Sequence, residues 1–441
     1  MDWVSFGLLL NDHLPLYLGI LAASIIFYTL IFKRLYLSIL DPIMFAVLFS
    51  VFGFSVVWFL YFTHNIDTRY LYSYLFTQVA FWVGLFTFKS LKRSQVLSQS
   101  QTFLIEDQSL FEKILFLVTS GSYIILQLVS YRLIGIPLLL GTHIDLYNSS
   151  GGLGIIGRIL DVLKPCSIFI LIYFLFNKHS SIFIYIYKYV FLLMVLVFFA
   201  LSGSKGEFMF LGFLIFCFLL LNASRFKSYF LKLRKLELIL LIVGIGFAFL
   251  TILVQKTDTQ NSLGVFLFRL VASGDTYFFA YANNNIEHVN GSQPFLALFG
   301  DMFSTLRIIP RDRQPVILGV QLFRMFSDLD ITAGPNARHN VFGYVYFGFY
   351  GSIVFSYLIG LILSLVRNVL FFELRKNILG QIIFVYLYLG LAGIETDPPQ
   401  AFLVLENVLL IFPVFLLISI VFYLLLTKKY NSPEINYYLN E

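Results

Sequence analysis

Residues 236–255 read LELILLIVGIGFAFLTILVQ, and from Lys256 to Asn340 the chain abandons that apolar pattern for a long polar break. A helix needs about 20 apolar residues to cross the hydrocarbon core of a bilayer, and 236–255 meets that length. The break carries Arg269, Asp275, Arg307, Arg311, Arg313, Arg324, Arg338 and His339. On both sides of it the sequence returns to apolar blocks of similar length.

Hydrophobic residues make up 59% of the 441 residues and charged residues 12%. Soluble domains hold roughly 45–50% and about 25% respectively, so an ordinary soluble domain is excluded. The net charge of +6 follows from basic loops and implies no nucleic-acid partner. Cys166 and Cys217, the two cysteines, border or enter apolar runs, which argues against a disulfide framework. The first twelve residues lack a basic leader and a small-residue cleavage site and read as an interfacial lead-in.

The length rule places spans near 14–32, 42–63, 71–88, 114–131, 162–177, 183–202, 207–222, 236–255, 341–366, 379–394 and 403–426. The expected fold is an all-α polytopic membrane protein of about 11 transmembrane helices, a single transmembrane domain over 1–441. Lys33, Arg34, Lys89, Lys92, Arg93, Arg225, Lys227, Arg367, Lys428 and Lys429 fall in alternate short loops. That bias puts those loops and the C-terminus inside and the N-terminus outside. Two long outside loops follow, 132–161 and 256–340. The second is expected to hold surface or re-entrant helices over Leu263–Tyr281, Pro294–Ile309 and Val316–Phe326, with Asn283–Asn285 ending the first.

The chemistry-bearing residues gather on that outside face. Lys205 stands in the turn Ser202-Gly-Ser-Lys-Gly206, where backbone N–H groups at a helix start and a cation would hold a phosphate. The bland alternative is a lysine snorkelling to the headgroups. Arg269 suits bidentate binding of pyrophosphate oxygens. It lies six residues from Asp275, too far round a helix to pair well with it. Arg307, Arg311, Arg313 and Arg324 have Asp312, Asp328 and Asp330 nearby as partners, yet collectively they concentrate an anionic substrate. His339, beside Arg338 and Asn340, has the pKa range of a general base or phosphate donor, although interfacial histidines are commonly structural. Glu395 and Asp397 in Glu395-Thr-Asp-Pro-Pro399 either balance charge or accept a proton. No Walker loop, dinucleotide fingerprint, zinc His pair or nucleophile elbow occurs in a credible context, so neither cofactor nor metal is expected.

This pattern resembles the Wzy-type O-antigen and capsule repeat-unit polymerases, within the membrane superfamily that includes the O-antigen ligases. The resemblance rests on many spans without a soluble domain, a long late loop, Ser202–Gly206 before a span, Arg269 on a loop helix, and His339-Asn340 followed by Gly343, Gly348 and Gly351. Lys205 departs from the arginine usual in the first motif and loses its bidentate fork. The resemblance implies an inner-membrane enzyme with both long loops periplasmic. It would transfer a growing glycan from undecaprenyl pyrophosphate to an incoming lipid-linked repeat. Membrane lipids, a chain-length regulator and the pathway's flippase would be its partners. Arg269, Lys205 and Arg338 would hold the donor pyrophosphate, His339 or Asp275 would take the acceptor proton, and Arg158 with Arg307, Arg311, Arg313 and Arg324 would guide the second substrate. Competing readings are an O-antigen ligase, a membrane acyltransferase and a non-enzymatic flippase. A flippase would line a central cavity with its basic residues instead of concentrating them on one loop.

Overall fold

The computed structural model describes residues 1–35, 37–98, 109–139, 154–177, 181–204, 206–233, 271–326 and 334–430, with isolated positions between 235 and 246. Among these residues the chain is helical and contains no strand. The principal helices are α1 (Trp3–Asp12), α2 (Leu14–Phe32), α3 (Pro42–Phe62), α4 (Thr68–Phe86), α5 (Leu110–Ile134), α6 (Gly154–Phe176), α7 (Ile182–Leu201) and α8 (Glu207–Leu221). After the break come α9 (Asp275–Tyr281), α10 (Pro294–Thr305), α11 (Leu318–Arg324), α12 (His339–Leu365), α13 (Ile378–Ala392) and α14 (Pro398–Tyr430).

Seven of the described helices are long and apolar enough to cross a membrane: α2, α3, α5, α6, α7, α12 with its continuation to Leu374, and α14. Their outer faces carry side chains such as Ile26, Leu193 and Leu417, 63%, 64% and 61% exposed. Apolar surface on this scale marks a lipid-facing wall, and the protein is membrane-embedded. α8 and α13 are apolar but have only 15 residues each. The expected span at 236–255 lies almost wholly outside the described residues.

The chain divides into two compact units, one of residues 1–100 and 219–405, the other of 101–218 and 406–441. In the second, a capping box between Ser109 and Glu112 starts α5, and Lys164 pairs with Glu207 at 3.0 Å. Lys188, buried within α7, donates to the Phe174 carbonyl at 3.3 Å.

The first unit is built around α4 and α12. The sequence reads 341–366 as one straight span, but α12 folds back on itself at Gly348 (φ 68°, ψ −175°). Gly343 packs against Ser352, with a position for a Cβ only 3.0 Å from the serine Cβ, and the His339 ring reaches Ser356. Both arms lie along α4. Asn340 meets Thr77 and Tyr344 meets Tyr70 on the first arm; Phe349 meets Phe76 and Gly360 meets Phe81 on the second. At the α4–α12 crossing a Cβ on Gly84 would lie 2.2 Å from the Tyr357 carbonyl, and one on Gly360 2.1 Å from the Phe81 carbonyl. Only glycine allows two backbones to approach so closely, the small-residue packing that membrane helices favour.

The polar break folds over this pair. α9 ends at Tyr281, and Asn283 and Asn284 adopt left-handed backbone (φ 56° and 57°), so the Asn run stops the helix as expected from its tolerance of that region. The Glu287 carboxylate accepts from Tyr70 at 3.2 Å and Tyr344 at 3.1 Å and lies 3.5 Å from Arg69, pinning the segment to α4 and the first arm. α10, the Arg311–Arg313 turn and α11 stand where the sequence puts the two later surface helices and their turn.

Candidate functional site

Two interruptions of helix meet inside the first unit. One is the segment 334–338 that leads into α12; the other is the 393–397 turn between α13 and α14. The Arg338 N–H donates to the Thr396 carbonyl at 2.9 Å and the His339 N–H to the Glu395 carbonyl at 3.1 Å. In a membrane-embedded unit, non-helical backbone persists only where protein satisfies it, and here each break satisfies the other.

Arg338 is 1% exposed and holds φ at 32°, a region a non-glycine residue enters at a cost. Its guanidinium donates to the carbonyls of Phe49, at 3.1 Å, and Ser273, and lies over the Tyr277 ring at 5.8 Å. Nε has no partner among the described residues. Arg338 therefore clamps α3 to the segment before α9.

Asp275, the first residue of α9, is half-buried, with Thr276 N–H donating to its carboxylate at 2.8 Å. Burial pushes this carboxyl up to about 7, against the opposing pull of the Thr276 N–H and of Arg338. Glu395 is 3% exposed; burial raises its pKa as well, again opposed by Arg338. The Arg338 charge thus favours the ionised form of both acids.

Around them runs a hydrogen-bonded chain. Gln78 Nε2 donates to Glu395 and to Ser50, at 3.2 Å each, and the Ser50 and Tyr28 hydroxyls are 2.9 Å apart. Asn340 donates to Thr77 at 2.9 Å and Gln78 at 3.3 Å and accepts from Tyr277 at 2.7 Å. A small cavity lined by Tyr28, Ser50, Phe81, Leu363 and Glu395 adjoins this chain. His339 is fully buried, its Nδ1 2.9 Å from the Ser356 hydroxyl and its ring against Phe81, 4.9 Å between centroids.

The remaining sequence candidates belong to other elements or fall outside the described residues. Lys205 and Arg269 fall outside the described residues, as do 140–153 of the first long loop and 256–270 and 327–333 of the second. Arg158 sits on α6 in the other unit, donating to Asn407 at 3.2 Å. Arg307, Arg313 and Arg324 are exposed on the α10–α11 segment, and Arg311 opens the turn between the two helices. Phe295, Ile308 and Ile317 beside them are 60%, 62% and 65% exposed. Sequence reading missed Gln78, Ser50 and Tyr277; the available signal was a polar side chain within the apolar runs of α3 and α4, and for Tyr277 its place two residues after Asp275. Among the described residues no group of three His, Cys, Asp or Glu is placed to hold a metal.

Comparison with protein-family models, with curated proteins and with solved structures gives no match.

Proposed function

We propose that the chain is a membrane glycosyltransferase that polymerises undecaprenyl-pyrophosphate-linked oligosaccharide repeats into O-antigen or capsular polysaccharide. The observation that carries the reading is the half-buried carboxyl of Asp275, poised near neutrality beside Arg338. A general base works best with a pKa near the working pH, and a glycosyl acceptor hydroxyl needs such a base. Asp275 suits this role better than His339, which is closed off against Phe81 and Ser356. Arg338 positions Asp275 by gripping the Ser273 carbonyl, while Arg269, Lys205 and the exposed arginines of the α10–α11 segment hold the lipid pyrophosphates.

On this reading the chain has eleven spans in a bacterial inner membrane, with the N-terminus and the 132–161 and 256–340 loops periplasmic and the C-terminus cytoplasmic. A pyrophosphate leaving group stabilised by fixed arginines needs no nucleotide sugar.

A deletion strain tests it. Surface glycan reduced to single repeats supports the polymerase. Lipid A–core bearing no repeat at all makes the chain a ligase, and repeats trapped on the cytoplasmic leaflet make it a flippase; either outcome overturns the proposal.

A further inference from the structure

At the far end of α13 from Glu395 lies a second charged group, Arg375. It is 4% exposed, and neither Nη1 nor Nη2 has a partner among the described residues. A buried charge without a counter-charge is among the most costly arrangements a protein can hold, and a guanidinium in that state points to a missing anion.

The neighbouring acid does not serve. Glu373 is exposed and paired with Lys376 at 2.6 Å. Burial lowers the pKa of the Arg375 guanidinium. The guanidinium lies over the Phe371 ring at 5.1 Å, a contact that uses none of its N–H donors.

A second orphan is connected to Arg375 through Gln381 and Asn222. Gln381 donates to the Arg375 carbonyl at 3.0 Å and exchanges hydrogen bonds with Asn222 at 3.0 and 3.1 Å. Two residues beyond Asn222, the buried Ser224 hydroxyl has no partner. Arg225, Lys227 and Lys376 stand exposed on the same two turns. A fork of N–H donors, a hydroxyl and a basic rim are the elements that recognise phosphate oxygens.

We propose that Arg375 and Ser224 form an anion site that takes a phosphate group, carried by an anionic phospholipid head or by free phosphate. This site is independent of the glycosyl-transfer reading.

The test uses the full chain in nanodiscs of phosphatidylcholine alone, or with phosphatidylglycerol at about one fifth. Lipid retained after extraction is identified by native mass spectrometry. Inorganic phosphate is titrated separately into the phosphatidylcholine discs while unfolding is followed by tryptophan fluorescence. Retention of phosphatidylglycerol over phosphatidylcholine identifies a lipid head; stabilisation by inorganic phosphate identifies the free ion. In either arm Arg375→Gln weakens the effect by about tenfold or more, and Ser224→Ala by less. Should Arg375→Gln not fold, Arg375→Lys, which keeps the charge and loses the fork, together with Ser224→Ala gives the same ranking. No phosphatidylglycerol preference and no phosphate response in the unmodified chain, or responses unchanged in these variants, would overturn the site.

Discussion

The buried pair of Asp41 and Arg367 offers a prediction that the structure sets in some detail. Asp41 is fully buried before α3, and Arg367 is 1% exposed in the π-helical turn Val366–Leu370 that follows α12. Arg367 Nη2 meets Asp41 Oδ2 at 2.8 Å and the Leu35 carbonyl; its Nε donates to Tyr388 at 3.1 Å, and Tyr388 donates to Asp41. Removing the arginine leaves a carboxylate with the Leu37 N–H and one hydroxyl as its donors. Losing one partner of a buried pair costs about 3–5 kcal/mol, whereas replacing both by apolar residues is often neutral. Arg367→Met should therefore lower the melting temperature by about 6–10 °C, taking about 2 °C per kcal/mol for a large unit. The double variant Asp41→Leu/Arg367→Met should return most of the loss. Trp3, Trp58 and Trp82 all lie in the first unit, and Cys166 and Cys217 in the second. Tryptophan fluorescence therefore reads the affected unit, and a thiol-reactive dye reads the other as a control. A shift below about 1 °C in the single variant, or a double variant as unstable as the single, would refute the reasoning.

Further outcomes follow from the same structure. Gly360→Ala puts a methyl 2.1 Å from the Phe81 carbonyl and should cost about 1–3 kcal/mol by forcing the α4–α12 crossing apart. Gly393→Ala, with nothing within 4 Å of the new carbon, should stay within about 0.5 kcal/mol, measured in the same melts. Arg338→Lys keeps the charge but cannot grip the Phe49 and Ser273 carbonyls together, and should lose most transfer activity in a turnover assay. For Asp275, kcat/KM should fall about tenfold per pH unit below about 7 and level off above it. Stability should run the opposite way. The folded chain keeps the Asp275 proton up to about 7 while the unfolded chain releases it near 4, so stability falls as pH rises across that window. Asp275→Asn should flatten both profiles.

Much of the helical plan is legible in the sequence because a bilayer imposes a length on apolar runs. The runs at 14–32 and 42–63 appear as α2 and α3 almost residue for residue, and the Asn283–Asn285 stop follows from backbone preference alone. α12 was harder, because hydropathy measures what is buried in lipid and not the direction of the chain. A single glycine at 348, with positive φ, turns an apparent span into two arms. The site was harder still. Asp275, Arg338 and Glu395 are each visible as charges in an apolar chain, but their meeting depends on backbone bonds between residues 338–339 and 395–396. No periodicity encodes that pairing. The burial of His339 was likewise hidden, since it comes from Ser356 and Phe81, each distant in the chain.

We propose Asp275 as the base of a glycan-polymerising site. The direct measurement is made on purified protein in lipid vesicles supplied with undecaprenyl-pyrophosphate-linked repeat units, with the product resolved as a ladder. The unmodified chain should extend the repeats, and Asp275→Asn, with its tryptophan transition intact, should leave single units. A ladder from Asp275→Asn at the unmodified rate, or none from the unmodified chain, would contradict the account.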